Sequence, residues 1–500
     1  MIRLCQKNID RIPDHVRRPG YNPSDLEIGM VHLGIGAFHR AHQAVYTDNI
    51  IEGGDYAWGI AGVSLRSATA RDQLQPQDGL YTLVEQNASG RLYRMIASVK
   101  KLLVAPEDPA AVLKLMQHQN TKIVSLTITE KGYCHDPTSG SLNFAHPDIK
   151  HDLTNPHTPK TAIGFIFYAL QHRLAAGHRP FTPLTCDNLP NNGKLLKEII
   201  LQFAQRVDRA LATQIEQNVS FPCTMVDRIV PATAEEDKLL LSSQLNYQDQ
   251  AMVKTETFSQ WVIEDNFVNE RPAWEKVGVN LVRDVQTFEE MKLRLLNGSH
   301  SAIAYLGYLA GLKYVHQVIE RDDFKQFIQE LMDNEVTPSL IKPDGINLEN
   351  YKADLIGRFS NPALNHRTHQ IAMDGSQKLP QRLLNTLQFL IRNDLPYSHI
   401  ALVLAAWIRY ISGSDDAGNA IDVQDPMAAQ FKSIASDLSG SPSELVTKIT
   451  GIEAIFGTDL SENSRLIANI LFWYRGLDLN GTLHTVAHFK SLAKHAAEAS

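Results

Sequence analysis

The sequence predicts an α/β chain whose N-terminal part is a doubly wound parallel sheet and whose C-terminal part is mostly α-helical. Three observations predict it. The chain has 500 residues, more than one ordinary hydrophobic core organises, so two large domains are expected. Up to about residue 285, short β-rich apolar runs alternate with helix-like stretches, the pattern of a parallel sheet covered by helices on both faces. Beyond that point, apolar residues recur mostly at helical spacing. The expected domains are therefore residues 1–285 and 286–500.

In the first part the candidate strands are Ile28–Gly34, Trp58–Leu65, Ile123–Thr129, Pro183–Asp187 and Cys223–Ile229. Helices are expected at Ala162–Ala175 and Gly193–Ala212. Tyr81–Val104 reads as an inserted hairpin, with runs Tyr81–Glu85 and Leu92–Val99 around the turn-forming tetrad Asn87-Ala88-Ser89-Gly90. In the second part, Thr287 followed by Glu290 reads as a capping box that opens the long helical segment Phe288–Leu312. Further helices are expected at Phe324–Asn334, Leu379–Asn393, Ser398–Ile411 and Asn463–Gly476.

Composition narrows the function. Hydrophobic residues make up 43% and charged residues 21%, the balance of an ordinary globular protein. A formal charge of −7 without a basic block argues against a nucleic-acid partner. The four cysteines, Cys5, Cys134, Cys186 and Cys223, are scattered and form no CxxC, which fits a reducing compartment better than a disulfide framework. Met1–Lys7 lacks the apolar core of a signal peptide, and no apolar run approaches the roughly 20 residues that span a bilayer. A soluble cytoplasmic protein with a small-molecule partner and no membrane partner is expected. No long heptad run marks a partner chain, and oligomeric state stays open.

The first strand runs into Gly34-Ile35-Gly36-Ala37-Phe38-His39-Arg40. Strand, GxG and helix in succession form a dinucleotide turn. The first glycine permits the tight turn, and the second lets the backbone approach a pyrophosphate at a helix N-terminus. The third glycine of GxGxxG is replaced by His39. Arg40 can add positive charge to the phosphate cradle. His39 and His42 share a helix face, but no Cys, Asp or Glu nearby completes a metal shell. The second strand ends in Leu65-Arg66-Ser67-Ala68-Thr69 without the acid that would hold ribose hydroxyls, and Arg66 can tolerate a 2′-phosphate. The residues leave NAD against NADP open.

Three polar segments interrupt apolar sequence: Thr185-Cys186-Asp187-Asn188-Leu189-Pro190 at a strand end, Met225-Val226-Asp227-Arg228-Ile229, and Lys292 through His300 in the long helix. Asn297 and His300, three apart, share a helix face. Lys292 is five before Asn297, about 140° away around an ideal helix of 3.6 residues per turn, so only a long side chain brings it to the same pocket. Gly298 in mid-helix costs roughly 1 kcal/mol against alanine, which suggests close approach by a backbone or ligand. These residue types suit oxidation of a secondary alcohol. A lysine with lowered pKa takes the hydroxyl proton, and neutral amides such as Asn188 and Asn297 stabilise the developing alkoxide. Such a route needs no zinc, and no Cys/His cluster has zinc spacing.

Together, His32 through His42, Thr129-Glu130-Lys131-Gly132-Tyr133, Cys186-Asp187-Asn188, Met225-Val226-Asp227-Arg228 and Lys292 through His300 resemble the mannitol dehydrogenase family over most of the chain. The resemblance implies a Rossmann-type N-terminal domain, a helical C-terminal domain and a substrate site between them. It implies Lys292 as general base, Asn188 and Asn297 as oxyanion donors, His300 as a ligand of substrate hydroxyls, and Asp227 as a substrate-binding or site-ordering acid. The cofactor set is Gly34, Ile35, Gly36, Ala37, Phe38, Arg40, Arg66 and Glu130, with NAD favoured by the resemblance alone.

Within the family the chain is most similar to the fructuronate reductase (mannonate oxidoreductase) branch. Phe221–Pro231, Gln260–Val268 and His366 through Arg382 carry that likeness. The mannitol branch has arginine where Gln370 stands, so that sugar-alcohol contact does not transfer. Arg367 and Lys378 remain as cations for a sugar carboxylate. The expected reaction is D-mannonate with NAD⁺ to D-fructuronate with NADH. Tagaturonate/altronate or a neutral polyol (mannitol, sorbitol, arabinitol) is the alternative, and a dinucleotide sensor without turnover is the reading from a different class.

Overall fold

The structure, a computed structural model, describes residues 1–498 other than 88, 137, 138 and 439. The chain divides into two compact units, Met1–Gln286 and Thr287–Ser500.

The first unit is built on five parallel strands. In chain order they are β1 (Ile28–Leu33), β2 (Gly59–Ser64), β3 (Val99–Val104), β4 (Ile123–Leu126) and β5 (Thr182–Thr185). Their order across the sheet is β3-β2-β1-β4-β5, all neighbours parallel, so the topology reverses at β1 and β4. Ligands of such sheets meet the carboxyl ends of the strands at that reversal. The strands read as near-continuous apolar runs because helices cover both faces. Val31, Leu33, Val124 and Leu126 pack on one side with Phe165, Ile166 and Ile199, while Met30, Ile60 and Ile123 pack on the other with Ala41, Ala44 and Val45.

Three details differ from the sequence expectation. The hairpin strands are Tyr81–Asn87 and Gly90–Ile96, and Val99–Val104 leaves the hairpin to become edge strand β3. Lys100 and Lys101 are exposed there, charges that protect a sheet edge from further pairing. Ala88 of the expected turn tetrad lies outside the described residues. The strand Thr224–Asp227 does not extend the parallel sheet. It pairs antiparallel with Gln260–Glu264, which in turn pairs with Asn280–Val282. The stretch 193–212 is two helices, Asn192–Val207 and Arg209–Asn218. Asp208 separates them, its carboxylate accepting the N–H groups of Ala210 and Leu211, as an N-cap does.

The second unit is helical. The helix expected at Ser398–Ile411 is present with those bounds. Its first turn is capped from a distance: Glu335 accepts the N–H of His399 (2.7 Å) and of Ile400 (2.8 Å) and bonds His399 Nδ1 (2.8 Å). The long helix begins at Gln286, before Thr287, and Asp284 accepts the Gln286 N–H (2.9 Å). A carboxylate outside the helix thus takes the part expected of the Thr287 box. After Met291 the backbone becomes π-helical over Lys292–Asn297, then α-helical over Gly298–Leu309. Leu331–Val336 and Pro380–Leu384 are further π segments, the latter starting at a proline that cannot donate to the helical ladder. Among the described residues no helix is long and apolar enough to cross a membrane.

Removing the Glu335 cap leaves helix donors and an imidazole without their partner in the core. The variant Glu335→Ala is expected to cost about 3 kcal/mol, read as a lower urea midpoint for the helical unit; an unchanged midpoint would refute the cap.

Candidate active site

In the first unit the carboxyl ends of β1, β4 and β5 are tied to one another. Gly34 turns the chain after β1 at φ 97, a conformation that costs other residues a Cβ clash. A Cβ there would overlap the carbonyl oxygen of Thr127, so the turn after β1 lies directly on the segment after β4. Thr127 Oγ1 donates to Gly34 O (2.8 Å), and His32 bonds both Ser125 Oγ (2.8 Å) and Thr127 Oγ1 (2.9 Å). One strand further, the Asp187 carboxylate accepts the N–H groups of Ile128 (2.9 Å) and Thr129 (2.8 Å) and the hydroxyl of Tyr133 (2.8 Å). Burial pushes the Asp187 carboxyl up, and these hydrogen bonds pull it back. Asn192 then links this end to the neighbouring sheet, donating to Asp187 O (3.0 Å) and Thr224 O (2.9 Å) and accepting from Thr224 N (2.9 Å).

The residues expected to hold the cofactor divide between the glycine loop, its internal bracing and a nearby cavity. A Cβ on Gly36 would meet nothing closer than Gly34 O at 3.9 Å, so the backbone there is open to approach by a ligand. Ala37 and Phe38 begin the adjoining short helix, and Ile35 packs into the sheet against Gly62. His39, in the place of the third glycine, is buried and stacked on His32 with ring centroids 3.4 Å apart. Burial holds it well below the ordinary imidazole value, so it fills the core as a neutral ring. His42 bonds Gln260 O (2.9 Å) and stacks on Phe38. Arg40 differs from expectation. Its guanidinium is buried, bonded to Gly36 O and Ala251 O and lying over the Tyr81 ring. It braces the turn from within. Arg66 is exposed and, with Leu65, Ala105, Lys131 and Gly132, lines a cavity of about 760 Å³ past β2, β3 and β4. Glu130 is exposed at the start of the turn Glu130–Tyr133, and Asn188 is exposed just beyond β5. Asp227 is buried at the end of its strand. The adjacent Arg228 donates to Ala41 O, Glu256 O and Glu85, a structural cross-link.

In the second unit, Lys292, Asn297 and His300 are all buried. A π-helix bonds residue i to i+5, so Lys292 and Asn297, far apart on an α-helix, lie one turn apart on one face. The α-helical spacing that separates them in the sequence therefore does not apply here. Gly298 does admit a backbone: a Cβ would stand 2.9 Å from the carbonyl oxygen of Arg382, in the π segment Pro380–Leu384. Arg382 Nη1 donates to Ser301 Oγ (3.1 Å) and reaches Asn297 O (3.5 Å). His300 lies against Phe359 (4.8 Å) and His366 (5.3 Å). Burial drives its pKa well below the ordinary value, and His366, Arg382, Arg358 and Lys292 push it the same way. Asn297 Nδ2 and His300 Nε2 are buried without a hydrogen-bond partner among the described residues. Buried polar atoms cost about 1–3 kcal/mol each when left unmet, so these two are available to a polar ligand.

Arg367 and Lys378 do not join this group. Arg367 is exposed at the start of Thr368–Ala372, and Lys378 Nζ donates to Met373 O (2.6 Å) within its own turn. Sequence reasoning alone missed Arg358, Arg382, His366, Asp187 and Asn192 as site residues. Arg382, His366 and Asp187 sit inside stretches that stand out in the sequence, but only contact through the fold sets the first two beside His300 and the third on the turn after β4.

Two family models match the chain: the mannitol dehydrogenase Rossmann domain over residues 28–276 and the mannitol dehydrogenase C-terminal domain over residues 284–477. The D-mannonate oxidoreductase of Escherichia coli (strain K12) is 46% identical over 94% of this chain and 98% of its own. The mannitol 2-dehydrogenase of Emericella nidulans is 40% identical over 98% and 99%. Among solved structures, the Pseudomonas fluorescens mannitol 2-dehydrogenase ternary complex with NAD and D-mannitol superposes with a TM-score of 0.87 at 39% identity, covering 98% of this chain and all of that one.

The buried imidazoles make stability depend on pH. Burial holds His366 at about 4, while an unfolded histidine titrates near 6.5. Below 6.5 the unfolded chain binds a proton that the folded chain refuses. Stability is therefore complete above pH 6.5 and is lost as pH falls towards 4, by about 1.4 kcal/mol per pH unit for one such group. In His366→Asn that slope, measured by urea unfolding, is expected to flatten by about one proton; an unchanged slope would show that His366 titrates normally.

Proposed function

The chain belongs to the mannitol dehydrogenase family, and we propose that it is an NAD-dependent oxidoreductase that interconverts D-mannonate and D-fructuronate. The observation that carries the sugar-acid reading is the set of groups around His300. The charged groups that bear most on this buried ring are Arg382, Arg358 and Lys292, and basic surroundings favour an anionic substrate over a neutral polyol.

The Gly34–Gly36 turn fits a dinucleotide, since its left-handed first glycine turns the chain at the reversal of the sheet and its second position is open to a ligand. When bound, NAD supplies the hydride acceptor. Lys292 Nζ takes the proton of the substrate hydroxyl as the C–H hydride departs, and returns it in the reductive direction. Asn297 Nδ2, without a hydrogen-bond partner among the described residues, donates to the oxygen as it gains charge, and the family resemblance gives the Asn188 amide the same role. His300, neutral at physiological pH, bonds a second hydroxyl through Nε2. Asp227 orders the site or meets a further hydroxyl. Arg382, whose described hydrogen bonds use only Nη1, takes the carboxylate in place of Arg367 and Lys378. Guanidinium matches that anion in a bidentate way.

The reading is tested by loss of NADH absorbance with D-fructuronate, D-tagaturonate and D-fructose in parallel, repeated with NADPH. Fast turnover confined to fructuronate is expected. Turnover with fructose alone assigns the chain to a neutral polyol, which its resemblance to mannitol 2-dehydrogenases makes the natural second reading. Binding of NADH with no turnover favours a sensor. Lys292→Ala should keep NADH binding and lose about 10²–10⁴-fold in kcat; normal turnover would remove Lys292 from its role. Arg382→Gln should lower kcat/KM for fructuronate roughly 10–100-fold, with any activity on fructose changed far less. Equal losses on both would mean that Arg382 does not read the carboxylate.

A further inference from the structure

We infer that Asp187 is a positioning residue for the dinucleotide: its carboxylate clamps a strained turn after β4, so that this turn and the adjoining Asn188 stand pre-formed beside the Gly34–Gly36 loop. The inference rests on the dinucleotide reading above.

Thr129 has φ 62 and ψ 163, a region of backbone space populated almost only by glycine. A threonine stays there only when its surroundings over-determine it. Asp187 does so. It accepts the N–H groups on both sides of the strained position's entry, Ile128 and Thr129. It also accepts the Tyr133 hydroxyl at the far end of the same turn. Tyr133 is buried and bonded in turn to Thr185 of β5. The carboxylate itself is buried, and a buried anion is retained only where hydrogen bonds compensate its desolvation. The result is a turn whose Thr129 and Glu130 are both exposed, one strand from the glycine loop, since Gly34 packs directly on Thr127. Strain of this kind is found where geometry must be held in advance of a ligand.

A purely structural role predicts something different, and a pair of variants separates the two. Asp187→Asn replaces one acceptor oxygen by a donor that faces N–H groups. It is expected to lower the melting temperature and to weaken NADH binding, read by fluorescence titration without substrate, by about ten-fold. Adding Thr129→Gly removes the need for force, because glycine adopts this conformation freely, but leaves the turn unclamped. The double variant should regain the melting temperature and not the NADH affinity. Recovery of both would reduce Asp187 to a fold stabiliser and overturn the inference. So would NADH affinity in Asp187→Asn within about two-fold of the parent, beneath the loss expected for a charged hydrogen bond. Should Asp187→Asn not fold, Tyr133→Phe deletes one hydrogen bond of the clamp and should weaken NADH about three-fold, with no change counting against the clamp. A parent chain that binds NADH but turns over no sugar acid refutes the substrate reading and leaves the clamp standing. A parent chain that binds no NADH refutes both.

Discussion

A helix that closes its hydrogen bonds one residue late shapes the polar cluster of the second unit. Over Lys292–Asn297 the i→i+5 ladder widens the turn and brings a lysine and an asparagine onto a common face. The α-helix that resumes at Gly298 then adds His300. The widened turn is accommodated by its neighbour. Gly298 has no side chain where the Arg382 carbonyl arrives, and that carbonyl belongs to another underwound segment that starts at Pro380. Two local departures from α-geometry, each tied to a residue that weakens a helix, thus pack on one another. Neither would be stable in isolation, because each gives up regular hydrogen bonding for a tertiary contact.

The first unit is organised by a different constraint. Parallel strands share a direction, so their carboxyl ends meet on one edge of the sheet, and the loops leaving them must share that edge without collision. Gly34, Thr127 and Asp187 solve this by direct contact: a left-handed glycine against a carbonyl, a threonine hydroxyl on that glycine's own carbonyl, and a carboxylate on the N–H groups of Ile128 and Thr129. Asn192 passes the same order on to Thr224. Polar groups at this edge are therefore held by backbone partners, a more rigid support than exposed side chains could give.

Electrostatics separates the charges that brace from those that can meet a ligand. Arg40 and Arg228 are buried and consumed by carbonyl oxygens and Glu85. Around His300 the basic groups repel its protonated form. The ring stays neutral and can donate or accept without adding charge, which suits a hydroxyl.

Much of this was legible in the sequence, and the reason is periodicity. Alternating strands and helices, the GxG turn after β1, the helix at Ser398–Ile411 and the polar stretch from Lys292 to His300 are all local patterns that a linear chain displays. Local pattern misled where a distant group supplied the decisive contact. Arg40 has the look of a phosphate ligand, but Ala251 O claims it. Lys378 has the look of a carboxylate partner, but it folds onto Met373 O. Thr224–Asp227 has the look of a further parallel strand, but Gln260–Glu264 pairs with it antiparallel. The sequence by itself determined the elements, the chemical types at the site and the family they resemble, because those depend on neighbours along the chain. The π turn, the hydrogen bonds of Asp187 to the turn at Thr129 and the exposure of Arg367 were decided only by tertiary structure, because hydrogen-bond closure, strain and burial depend on atoms that the chain brings near only when it is folded.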